Sequence, residues 1–214
     1  MATGFLFAFL RFDRLERPSM LQRAVRLVVR SETVHVAVLP VHHYDPSPSV
    51  WVDGQAYTAF IKHGACVQEA AHVLEDPAYD FVFLPVPNPA DFARGLALLE
   101  RMKTAHYNYA TLLLAILPSA FKSAHMPNWL TGEDGMHLDP TAPAPPIFCS
   151  QMGMLLCHEC GALDAMGCDP AVCLPADLEE ALLTHARAIQ CAPQCIHTLT
   201  PPRLEEEAAA PKPA

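Results

Sequence analysis

The segment Phe148-Cys149-Ser150-Gln151 closes a proline-rich stretch, Pro140 to Pro146, and opens an apolar run, Met152 to Cys157, that reads as a helix. A cysteine in a first helical turn sits among unpaired backbone N–H groups at the positive end of the helix dipole. Both favour a thiolate over a thiol. Such a position suits a nucleophile. The competing reading takes Cys149 as one of eight cysteines, a small buried hydrophobe.

A nucleophilic thiol needs an imidazole to take its proton and return it to the leaving group, and a third group to fix the ring tautomer. His35 lies in Thr33-Val34-His35-Val36-Ala37-Val38-Leu39. Strand alternation puts Val34, Val36 and Val38 on one face, and Thr33, His35, Ala37 and Leu39 on the other. A histidine held so rigidly can serve as a base. It can equally be a core residue making one hydrogen bond. Glu69 is the sole carboxylate in the otherwise apolar Ala65 to Ala71, and its plain reading is a solubilising charge on an edge strand.

Metal chemistry is the rival use of the cysteines. Cys157-His158-Glu159-Cys160 is followed by Cys168, Cys173, Cys191 and Cys195. A structural zinc site pairs one Cys-x2-Cys with a second of similar spacing on turns. Here the later pairs are spaced differently and the first falls inside a helix. Scattered reduced cysteines fit better, and neither metal nor cofactor is expected.

The elements that must position these groups follow from pattern. Phe5 to Phe12 is a continuous apolar run of strand length, and Pro18-Ser19 starts a helix over Met20 to Val29. Arg23, Arg26 and Arg30 on that helix are read as a solvated face. His42 and His43 are placed in an exposed loop after Pro40. Asp53-Gly54 signals a hairpin turn within Ser49 to Phe60. Strands are expected over Ala65 to Ala71 and Tyr79 to Val86, helices from Pro89 to about Thr104 and over Ala110 to Leu117. A further helix runs from Pro175 to about Ala188. The organisation is thus one domain over 1–199, with a long Pro-rich loop at about 118–146 and a disordered tail over 200–214.

Composition narrows the function classes. With 214 residues, about half hydrophobic, the chain can bury a full core. A net charge of −9 with only fourteen Lys and Arg argues against nucleic acid. The apolar start Gly4 to Leu10 is too short for a signal core or a span and lacks a basic lead-in, so no integral membrane segment is expected. The expected setting is cytoplasmic, with reduced cysteines.

Taken together and in order, Val34-His35-Val36-Ala37-Val38, Val67-Gln68-Glu69-Ala70, Tyr107-Asn108-Tyr109, Phe148-Cys149-Ser150-Gln151 and Pro175-Ala176-Asp177-Leu178 resemble the circularly permuted papain-fold group. This is the permuted, YiiX/YaeF-like branch of the NlpC/P60 superfamily, with relatives in large DNA viruses. In it the histidine strand precedes the cysteine helix. The resemblance spans about residues 5–185. Val34 stands where the family often has Ser, and Gln151 where Glu is common.

The resemblance implies an α+β fold, an antiparallel sheet or small barrel packed against a cysteine-bearing helix. It implies Cys149 as nucleophile, His35 as general base and Glu69 as its orienting group, with Tyr107, Asn108 and Gln151 as substrate contacts. The expected function is a thiol-dependent hydrolase or acyltransferase acting on an amide or ester of peptide, cell-wall or lipid type, in the cytoplasm or, if viral, the host cytoplasm or virion. The alternative is a non-catalytic structural or interaction protein, for instance a viral component, on the same scaffold. Its Pro-rich loops or tail would then dock onto a protein partner.

Overall fold

The computed structural model describes residues 2–45, 49–61, 63–107, 146–162, 173–185 and 188–199. The expected helix over Ala110 to Leu117, the Pro-rich loop, Asn108 and the tail lie outside them, apart from the loop's last residue, Pro146.

Strand β1 (Ala2–Arg11) is apolar at successive positions because both of its faces are buried. Phe5, Phe7 and Phe9 point into one core, and Leu6, Ala8 and Leu10 into another on the opposite face. It runs antiparallel to β2 (Thr33–Asp45) on one side and to β6 (Tyr79–Pro85) on the other. The remaining strands are β3 (Ser49–Val52), β4 (Gln55–Phe60), β5 (Gly64–Glu69), β7 (Ile189–Cys191) and β8 (Ile196–Thr198). The result is a mixed α+β architecture around an open, mostly antiparallel sheet of order β5-β4-β2-β1-β6-β7, with β3 on β2 and β8 parallel to β3.

Strand β2 departs from expectation in three ways, each with a physical cause. It does not end at Pro40 but continues through His42 and His43. The missing N–H of Pro40 is tolerated because that residue falls where β2 changes partners, from β4 at Ala37 and Val38 to β3 at Val41 through Asp45. His42 is therefore on a strand, its Nε2 2.9 Å from Asp53 Oδ2. Asp53-Gly54, in turn, is not a hairpin turn. Strands β3 and β4 lie in series along β2, and Asp53 N–H donates to the Pro40 carbonyl across the step between them.

The third departure bears on the site. Leu10 pairs with His35 but Arg11 pairs with Thr33, so one extra residue, Val34, is accommodated in β2 as a β-bulge. Simple alternation would put Val34 with Val36 and Val38. The bulge instead turns Val34 into the core of Leu10, Ala37 and Leu39, while Val36 and Val38 keep the other face.

The helices that matter for the site are α1 (Met20–Val29), α3 (Pro89–Met102), α4 (Cys149–Glu159) and α5 (Pro175–His185); α2 (Ala71–Leu74) is a single turn after β5. A capping box starts α1: Ser19 Oγ accepts from Gln22 N–H at 3.2 Å and Gln22 Oε1 accepts from Ser19 N–H at 2.7 Å. At the head of α5, Asp177 accepts from Leu174 N–H at 2.9 Å. Helix α4 is buried through its first nine residues, against β2, α3 and α5. Gly153 makes that approach possible, since a Cβ there would meet Leu178 Cδ2 at 2.6 Å.

Candidate active site

Cys149 is the first residue of α4, as the apolar run after it requires, and lies 5 % exposed. Cys149 and His35 both line one cavity of about 100 Å³. Leu10, Val34, Phe60 and Tyr107 form most of the remaining wall, and Gln22 and Val25 close it from α1. The lining is mostly apolar, so a substrate's hydrocarbon part would be more at home here than a charged one.

The His35 ring is held on two sides. Phe60 stacks on it, centroids 4.8 Å apart and planes 18° from parallel. Thr58 Oγ1 lies 2.7 Å from Nε2 and also 2.9 Å from the Val36 carbonyl oxygen. A carbonyl only accepts, so the Thr58 hydroxyl proton goes to Val36 and its oxygen must accept from Nε2–H. This sets the tautomer. Nδ1 is left with its lone pair, the state a general base needs. Burial pushes the imidazole down to about 4, so the ring is neutral at ordinary pH.

The thiol is also neutral. Burial pushes Cys149 up to about 11, although the backbone N–H groups of Val36, Ser150 and Cys149 itself pull the other way. The helix-start argument for a resting thiolate is thereby overturned: desolvation in the apolar core exceeds what the first-turn N–H groups return. No hydrogen bond joins the sulfur to the imidazole among the described residues. His35 is paired with Leu10 and lies on the face of Ala37 and Leu39, to which the bulge adds Val34, whereas Cys149 packs with Val36 and Ala59 on the other. The β2–β4 ladder is only Ala37–Thr58 and Val38–Tyr57. Beyond it the strands are unpaired, and that opening is where the two groups come to share a cavity.

Glu69 is not part of this group. It is exposed, opposite Gln55, at the end of β5 away from Gly64, which pairs with Phe60 beside His35. Five residues of strand separate the two ends, roughly 17 Å at about 3.4 Å per residue. The orienting partner is Thr58. A threonine in the otherwise apolar run Ala56-Tyr57-Thr58-Ala59 is the signal that marks it. Tyr107 lines the cavity and bridges to Ile147, which brings the lead into α4 beside the end of α3. Gln151 is fully buried, its Oε1 accepting from Phe148 N–H at 3.3 Å, while Nε2 has no partner among the described residues. It braces the helix start and does not line the cavity. Asn108 is outside the described residues.

Among the described residues no three His, Cys, Asp or Glu side chains converge as metal ligands. Cys157 is buried in the core, and Cys160 Sγ faces the Asp91 carbonyl at 3.9 Å. No helix among the described residues is long and apolar enough to cross a membrane. No family model, curated protein or solved structure matches the chain.

Proposed function

We propose that the protein is a thiol-dependent acyl hydrolase or acyltransferase with a permuted papain-like arrangement, in which Cys149 is the nucleophile and His35 the general base. The observation that carries this reading is the shared cavity: a cysteine at a buried helix N-terminus and a histidine whose tautomer is set by Thr58 line the same apolar space.

In the reaction, a substrate carbonyl enters the cavity and its carbon is attacked by Cys149 sulfur as His35 Nδ1 takes the thiol proton. With the thiol near 11 and the imidazole near 4, no ion pair waits at rest, so proton transfer accompanies attack. The N–H groups of Cys149 and Ser150 at the head of α4 hold the developing oxyanion. His35 then returns the proton to the leaving oxygen or nitrogen, and water or another acceptor cleaves the thioester.

One observation favours the second reading, a non-catalytic scaffold: thiol and imidazole lack a direct hydrogen bond and belong to opposite sheet faces. A p-nitrophenyl butyrate incubation followed by intact mass separates the two. The hydrolase gives a butyryl adduct on Cys149, absent in Cys149→Ser and formed about 10²–10⁴-fold more slowly in His35→Ala. Ester turnover unchanged in Cys149→Ser leaves the scaffold.

A further inference from the structure

Helix α1 turns one side to the Cys149 cavity and an uncovered apolar ridge away from it. Gln22 and Val25 face inward and wall the Cys149 cavity. Met20 and Leu27, seven residues and therefore about two turns apart, lie together on the opposite side, 83 % and 78 % exposed. They are by far the most exposed large apolar side chains among the described residues.

The charge around them is equally uneven. Residues 11–30 carry six arginines against Asp13 and Glu16, in a chain of net charge −9. Arg11 and Arg14 are paired to Asp80 and Glu179, and Arg26 to Glu32. Arg17, Arg23 and Arg30 make no ion pair among the described residues. Three uncompensated guanidinium groups thus flank an exposed apolar ridge, and the acidic remainder of the molecule would be repelled by any anionic surface.

We propose that α1 is an interfacial docking helix for anionic lipid bilayers. Met20 and Leu27 enter the acyl boundary while Arg17, Arg23 and Arg30 meet lipid phosphates and carboxylates. This orientation places the lipid on one side of α1 and Cys149 on the other. The cavity, at about 100 Å³, is well below the several hundred cubic ångströms of an ordinary ligand site. A helix whose outer face is taken up by lipid can move from it, admitting an acyl chain. The substrate class is then an acyl ester or amide of a membrane lipid; this last step rests on the hydrolase reading, whereas docking itself does not.

The test is vesicle co-sedimentation of the full chain with phosphatidylcholine alone and with equimolar phosphatidylcholine and phosphatidylserine. Binding is expected only to the anionic vesicles, weakened by salt. Arg17→Ala and Arg23→Ala should each weaken it roughly fivefold, and Met20→Ser with Leu27→Ser at least about tenfold. These side chains are exposed, so the variants should melt with the parent. Equal binding to neutral vesicles, or binding undiminished in the Met20→Ser, Leu27→Ser variant, overturns the proposal. So does absence of binding together with concentration-dependent self-association that Leu27→Ser abolishes, which would assign the ridge to a second copy. Cys149→Ala should sediment like the parent. Lipid binding without any acyl adduct would therefore count against the hydrolase alone, and an adduct without lipid binding against docking alone.

Discussion

Thr58 makes two hydrogen bonds through one hydroxyl, and what the His35 ring can do depends on both. Thr58→Val keeps the shape but leaves Nε2–H and the Val36 carbonyl unpartnered. The expected cost is about 1–3 kcal/mol of stability, read from the urea midpoint, together with slower acyl-adduct formation as the tautomer is released. Thr58→Ser should restore both. His35 also makes stability pH-dependent. Its folded value near 4 lies below the ordinary 6.5, so between those values the unfolded chain binds the extra proton. Stability should fall as pH drops from about 6.5 to about 4 and level off below, by up to roughly 3 kcal/mol. Urea titrations at pH 4.5 and 7 check this, and a His35→Gln variant that kept the full slope would refute the assignment. At this scale the sequence singled out Cys149, His35 and Tyr107, which line one cavity. It misassigned the partner of His35, because a carboxylate stands out in a strand while a threonine passes as a β-former. Only strand register shows which of them is within reach.

Elements were legible where pattern and burial agree. The continuous apolar run of β1, the Ser19 cap and the Pro89 start all became the expected structures. Illegible were features that depend on a neighbouring strand: the Val34 bulge, the passage of β2 through Pro40, and the step at Asp53-Gly54. Each is a consequence of pairing partners distant in sequence, and local propensity carries no record of them. Close packing of β1 on β6 gives a test at the same scale. A Cβ on Gly4 would lie 2.1 Å from the Leu84 carbonyl oxygen, a backbone atom that cannot swing away. Gly4→Ala should cost at least about 1–3 kcal/mol, seen as a lower thermal midpoint. Gly54→Ala, with open space around it, makes a control expected to change the midpoint little.

In the whole molecule, the short segment Ile189 to Thr198 supplies a strand to two distant parts of the sheet. Strand β7 pairs with β6, and β8 runs beside β3, with only the turn Ala192 to Cys195 between them. Four residues span no more than about 14 Å, so β6 and β3 must curve toward each other. The network of Arg11, Thr33 and Glu179 fastens α5 to the adjoining ends of β1 and β2, with Thr33 Oγ1 2.7 Å from Glu179 Oε2. Removing Ile189 to Thr198 should uncover the backbone of β3 and β6 and produce concentration-dependent aggregation, measurable by light scattering.

That segment also dictates a sequence of events in time. Val50 acquires its partner Ile196 only after 145 intervening residues have been made, so the β3–β8 pairing cannot form until residue 196 is in place. Closing so long a loop is slow relative to the local β1–β2–β6 pairings. During synthesis the protein must pass through a period with two bare strand edges, and its yield in a cell would then depend on how well that interval is shielded.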